Sequence, residues 1–470
     1  MKKGLYLGLA VATLFVAACS ADPLSIPNLN SPPVEGTASD PTALQLQATG
    51  IIRQQRGGLG AYITATARLG REGYIYTPNE GRNTSHFLIG LAGFNRLDPA
   101  GFAVGTWAGN YGNLRDIYNF KLLVTGLPLL TAAQKSAAQG FVRTIEALEL
   151  LYVISTRDSL GAVVQINPNS RDLAPFVSRD SVYRYILGTL NAADAELAAG
   201  SAAFPFVMHA GFTGFDTPTT FRQFNRAITA RAAVYFATRG GGAAAWTQAQ
   251  TAIAAAFLNR TPTNAAAMNV GVYQVYSTAT GDAQNGVGQN ADYLTHPSFA
   301  TDRVAGDLRV SKWSVLTVPR NAPQGLGIAT SLAMARYVTN TTTVPIIRNE
   351  ELVLLSSEIR WNTGDRPGAI TDLNAVRSVS GGAGIGASAA TVASTDAAYI
   401  QALLYERRFS LLSEGHRWVD HRRFNLLAQL PRDLTTGINA HFIARVLPLP
   451  QAECLVRARA GSLALAGPGC

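Results

Sequence analysis

The chain has little of what enzymes usually need. Gly-x-x-x-x-Gly-Lys, His-Glu-x-x-His and Gly-x-Ser-x-Gly are all absent. That removes the phosphate cradle, the zinc protease helix and the nucleophile elbow as readings. Six histidines, 86, 209, 296, 416, 421 and 441, are scattered apart from the pair at 416 and 421. Lysine is scarce at five residues, so nearly all of the +9 net charge comes from arginine. No block of five or six like charges occurs, which excludes a nucleic-acid arm. Beyond the N-terminus no apolar run approaches the roughly 20 residues that cross a bilayer as a helix. No cofactor is required by any motif, and the chain reads as a non-enzyme. The enzyme that these absences leave open is a glycosidase, which needs only two opposed carboxylates in a cleft.

Charge is also thin, 15% of the whole, and most conspicuous where it concentrates. From Glu406 to Arg423, 8 of 18 residues are charged, with Tyr405, Phe409, Leu412, Trp418 and Val419 threaded among them. Tyr405, Phe409 and Leu412 fall on one helical face, and Gly415 is placed to end that helix before another begins. The stretch reads as a helix corner held to a core by arginine–carboxylate pairs. The alternative is a metal or catalytic cluster of Glu414, His416, Asp420 and His421.

The N-terminus carries Lys2 and Lys3 ahead of an apolar run ending in Val16-Ala17-Ala18-Cys19. Residues 1–18 read as a signal peptide, and the quartet resembles a lipobox in which Cys19 is lipidated. Residues 19–40, rich in Pro, Ser, Asn and Asp, read as a flexible tether. A single domain then fills 41–470. The two remaining cysteines, Cys454 and Cys470, suggest a disulfide in an exported protein; two free thiols are the alternative. Apolar periodicity predicts helices over 41–56, 61–72, 107–126, 131–160, 178–199, 224–237, 246–258 and 349–361, with another continuing from an Asp365 cap. Two stretches break the pattern, 73–106 and 261–345, both Gly- and Asn-rich with interspersed aromatics. Gly381–Gly386 follows a helix rather than a strand, so it reads as a linker.

Several segments carry a family resemblance in order. YERRFSLLSEGHRWVDHRRF is similar to the E-R-R-x-E-L…E-G-x-R-x-x-D-L-R-R segment of the SusD/RagB family, with Ser410 and His421 departing from it. RNEELVLLSSEIRWNTGDRPGAITDLNAVRSVSGG matches that family's paired helices at Glu351, Glu358, Gly364, Asp365, Asn374, Arg377 and Gly381. QGFVRTIEALELLYVISTRDSLGAVVQI and the tail HFIARVLPLPQAEC resemble further family segments, so the matches run from about Trp107 to Glu453. The resemblance implies a mostly α fold of four stacked, tetratricopeptide-like helix pairs in a superhelix, with long irregular loops and a few short strands. It implies a lipid-anchored, surface-exposed outer-membrane protein. Such a protein captures a nutrient, most readily an oligosaccharide, and delivers it to a SusC-like TonB-dependent transporter barrel. A lipoprotein that only stabilises a transporter complex is the alternative. Family ligand residues vary too much to be carried over, so the expected ligand face rests on loop placement: Trp313, Tyr293 and Tyr76 for stacking, with Asn79 and Arg82 for hydrogen bonds. No metal ligands are expected.

Overall fold

Leu44, Ala48, Ile51, Ile52, Leu59 and Ile63 place one apolar stripe along a single helix α1, Pro41–Leu69. The break expected near Gly57–Gly60 does not occur. Gly58 faces Asn110 and Glu149 of two neighbouring helices, whereas Gly57 and Gly60 face open space, and the helix runs through all three. The computed structural model that shows this describes residues 41–91, 94–169, 171–288, 290–393 and 395–459. The signal peptide, the tether, Cys19 and Cys470 lie outside them.

Seven further helices follow: α2 (Gly105–Gly126), α3 (Ala132–Arg157), α4 (Arg179–Ala198), α5 (Pro218–Phe236), α6 (Gly242–Ala254), α7 (Asn349–Asn362) and α8 (Arg366–Ser380). Each packs on the next in chain order, giving the four stacked pairs of a tetratricopeptide-like array. Local chemistry fixes the ends. Thr131 caps α3 in a reciprocal box with Gln134. Thr217 and Pro218 start α5 earlier than periodicity alone suggests. Asp365 accepts from the Gly368 amide, as its position before a helix predicts. Helix α3 is the spine, buried on nearly every side from Ala137 onward.

The two irregular stretches supply the strands. β1 (Gly73–Ile75), β3 (Tyr293–Thr295), β5 (Thr330–Met334) and β4 (Trp313–Arg320) form an antiparallel sheet in that order. β2 (Gly271–Gln274) pairs with β6 (Val344–Arg348). The register of β4 on β5 shifts between Val315 and Arg320, a bulge or irregularity in the ladder.

Helix α9 (Asp396–Ser410) packs on α7 and α8, and α10 (Arg417–Arg423) returns to α1, tying the end of the array to its start. The turn between them passes so close to α1 that a Cβ on Gly415 (φ 90°) would sit 2.3 Å from the Tyr62 ring. This corner is the expected ion-pair lattice. Glu406 takes Arg309 at 2.6 Å and Arg377 at 2.7 Å. Asp420 takes Arg407 at 2.7 Å and Arg423 at 2.9 Å. Glu414 takes Arg348 at 2.8 Å and Arg336 at 2.5 Å. Arg231 clamps Glu351, and Arg423 also reaches Glu358 at 2.7 Å.

The metal alternative is thereby corrected: both carboxylates are committed to arginines. Tyr235 Oη lies 2.9 Å from His416 Nδ1, and burial pushes the His416 imidazole down to about 4, so it is neutral. His421 donates to the Arg417 carbonyl at 2.8 Å. Arg417 itself departs from expectation, since its guanidinium donates to the Arg71 carbonyl at 2.8 Å instead of meeting a carboxylate directly.

A second buried polar cluster lies where α1, α2 and α3 meet. Glu149 accepts from Asn113 Nδ2 at 2.7 Å through one oxygen. Its other oxygen and Asn110 Oδ1 face the notch beside Gly58, neither with a donor among the described residues. Burial drives the Glu149 carboxyl up to about 8. With its folded value above its unfolded one, ionisation penalises the native state increasingly as pH rises from about 4.5 to about 8. Glu149→Gln supplies an N–H to that notch and cannot ionise. The variant should melt close to the parent at pH 4 and higher than the parent at pH 8. Equal melting temperatures at both values would show that the carboxylate is solvated.

Candidate functional site

The aromatic residues expected to stack on a ligand are used up inside the fold. Trp313 opens β4 at 4% exposure and packs against Phe299 and Phe409, with ring centroids 5.9 and 6.3 Å away. Tyr293 is buried, its hydroxyl 2.8 Å from Ser413 Oγ. Tyr76 is buried and donates to the Ile328 carbonyl at 3.0 Å. All three rings lack the solvent-facing surface that stacking requires, which corrects the expectation for them. Their hydroxyls and edges instead fasten the four-stranded sheet to the corner and to the coil around Ile328.

Asn79 and Arg82 are exposed as expected. Arg82 is held by Glu80, with Nε to Oε1 at 2.7 Å, and its guanidinium lies 5.0 Å from the Phe102 ring centroid. His86 meets the same ring edge-on at 4.8 Å. Phe102, 43% exposed, is an aromatic on this face that composition did not single out, because it sits at the end of the irregular stretch just before α2.

A large concavity lies next to this face. It is an open cavity of about 1490 Å³ between residues 95–99 and the coil 427–446, with the start of α11 (Gln451–Arg459) on one side. Ligand pockets commonly run from roughly 300 to 1,000 Å³, so this one has room for a ligand of several rings. Phe442, Ile443 and Leu427 give it an apolar lining, and Asn95, Thr435 and Gln451 add polar groups.

The coil is fixed in place by backbone bonds to distant elements. The Phe442 amide donates to Leu88 O at 2.9 Å, that of Leu447 to Thr156 O at 2.9 Å, and that of Gln451 to Pro99 O at 3.1 Å. Trp418 Nε1 donates to Ala444 O at 2.8 Å, which ties the cavity to α10. Gly90 (φ 72°) lets the wall close: a Cβ there would lie 2.3 Å from Arg96 O and 2.7 Å from the Phe442 ring. His441 is buried beneath and lies 2.8 Å from the Gly325 carbonyl, to which its Nε2 donates. Burial and the charge of Arg71 lower the pKa of its imidazole.

Among the described residues no group of three or more His, Cys, Asp or Glu is placed to hold a metal ion. No helix among them is long and apolar enough to cross a membrane. Cys454 is disulfide-bonded.

Residues 248–444 match the model of the SusD family. The solved structures with the same fold include B. fragilis NanU, with a TM-score of 0.65 at 12% identity over 95% of this chain and 99% of that one. A surface glycan-binding protein A from Bacteroides fluxus superposes with a TM-score of 0.66 at 14% identity, covering 92% and 100%. A laminarin-binding SusD-like protein gives 0.58 at 14% identity, covering 89% and 97%. No curated protein matches the chain in sequence.

Proposed function

We propose that this chain, which matches the SusD family model over residues 248–444, works as SusD-like proteins do and binds carbohydrate in the cavity beside Phe442. In this reading it does so as a lipid-anchored outer-membrane protein and passes its ligand to a SusC-like TonB-dependent transporter. The observation that carries the reading is the cavity itself. It is open, has room for several sugar rings, and sets one half-buried aromatic ring among polar side chains. Flat apolar surface beside hydrogen-bonding groups suits a sugar, whose ring faces are apolar and whose edges carry hydroxyls. Two relatives of the same fold are described as glycan-binding and laminarin-binding, which supports carbohydrate as the ligand class. The exposed Phe102–His86–Arg82 group would extend the surface for a longer chain.

Affinity electrophoresis against a panel of polysaccharides tests this. Retardation by at least one glycan is expected, and Phe442→Ala should weaken it about tenfold, the order of one aromatic contact. Failure to bind any glycan, or full binding by a correctly folded Phe442→Ala variant, would remove the cavity from consideration.

The anchor is a separate part of the reading. Cys19→Ala should move the protein from the membrane pellet to the soluble fraction with an unchanged melting curve. Retention in the pellet after a salt wash would contradict lipidation at Cys19. The disulfide of Cys454 is assigned to Cys470 by the same reading; mass spectrometry of a non-reduced digest should find the linked peptides.

A further inference from the structure

We propose that the ligand taken by this cavity is an acidic oligosaccharide, with carboxylate or sulfate groups met by Arg96, Arg432 and Arg445. The proposal rests on the carbohydrate reading above and adds the charge class to it.

Three arginines line the cavity, and no aspartate or glutamate does among the described lining residues. The chain as a whole carries 30 acidic residues against 39 lysines and arginines, and the charge on this lining is all of the positive sign. Elsewhere this protein pairs its arginines closely: Arg309, Arg348, Arg407 and Arg423 each meet a carboxylate within 3 Å. Arg96, Arg432 and Arg445 have no carboxylate within ion-pair distance among the described residues.

The carboxylates near enough in sequence are already engaged. Asp433 is bound by Tyr74 Oη at 2.7 Å and His296 Nε2 at 2.9 Å. Asp98 accepts from the Ala100 amide at 2.8 Å, and Glu453 holds Arg457 at 2.7 Å.

Guanidinium groups arranged around a concave, partly apolar surface concentrate positive potential where a ligand enters. Their planar forks match the paired oxygens of carboxylates and sulfates. An uncharged sugar would use little of this, whereas an anionic one meets a donor set left open by the fold. The three side chains are exposed, so their charge is available to solvent and is not needed to hold the core.

Calorimetric titration of the full chain tests the proposal with matched probes. Oligogalacturonides are compared with the same chains methyl-esterified, and sulfated galactan oligosaccharides with their desulfated, uncharged forms. At least one acidic probe should bind at least about tenfold tighter than its neutral counterpart, with affinity falling as salt rises. Arg432→Gln and Arg445→Gln should each weaken that binding about tenfold without lowering the melting temperature. The carboxylate and sulfate arms identify which anion is read. If a neutral form binds as tightly and neither arginine variant matters, the acidic assignment is overturned while carbohydrate binding stands. If no probe binds and the polysaccharide panel is also negative, both fall.

Discussion

Glu406→Ala is expected to destabilise the protein by about 3–5 kcal/mol, the cost of leaving buried charge without its partner. Glu406 is buried and binds two arginines from different parts of the chain. Arg309 comes from the segment before β4, and Arg377 from the end of α8. With the carboxylate gone, Arg309 keeps Asp307 at 2.7 Å, but Arg377 is left among the described residues with the carbonyls of Gly386 and Ile385 at 2.9 and 3.2 Å and the Tyr405 ring, 5.3 Å from its guanidinium, and no carboxylate. A buried guanidinium so placed must be solvated by water entering the corner or must force α8 and α9 apart. Glu406→Gln fills the same space but removes the charge, so it should also be costly, and the difference between the two variants separates lost packing from lost charge. Denaturant titration gives the free energies directly. A change below about 1 kcal/mol for both would mean that the arginines rehydrate freely and that the corner is not a closed core.

The corner was legible in the sequence because two signals coincided there. Charge rose to several times the background, and apolar residues kept a helical period through it. The stacked pairs were legible for a similar reason, since Leu352, Leu355 and Ile359 on α7 and Ala369, Leu373 and Val376 on α8 mark the faces that meet. Periodicity does not show that a helix can continue through Gly57, Gly58 and Gly60, so the sequence pattern splits α1 in two. It also does not show which carboxylate an arginine meets, and Arg417 found a carbonyl.

The cavity was the least legible part. Residues 427–446 have no period, and they and the segment just after them are placed by hydrogen bonds from Phe442, Leu447 and Gln451 to Leu88, Thr156 and Pro99, which are far away in sequence. Only the Phe442-Ile443 and Arg445 alternation hinted at a surface with both an apolar and a charged use. The loop aromatics were misjudged for the opposite reason. A Gly-, Asn- and Thr-rich setting suggests exposure, but three rings in that setting were drawn into a small sheet whose inner face needs them.

Trp313 states this most sharply. Trp313→Ala is expected to cost about 3–5 kcal/mol, as for other large aromatic truncations in cores. Its ring meets Phe299 and Phe409 in one aromatic cluster that joins the sheet to α9. Arg408 lies over the Phe299 and Phe409 rings of the same cluster, at 4.5 and 5.3 Å from their centroids. Removing the indole leaves a cavity bordered by rigid rings and by β5, which pairs with Trp313 through Met334, so little of the space can collapse. Val315 is the internal control: it lies two residues on in the same strand and is 72% exposed. Val315→Ala should change stability by no more than about 0.5 kcal/mol. If Trp313→Ala instead melts like the parent and loses glycan binding, the ring is a ligand contact after all. If it unfolds early while a stabilising osmolyte restores full binding, Trp313 belongs to the scaffold and the ligand is held elsewhere, where the cavity beside Phe442 is open to receive it.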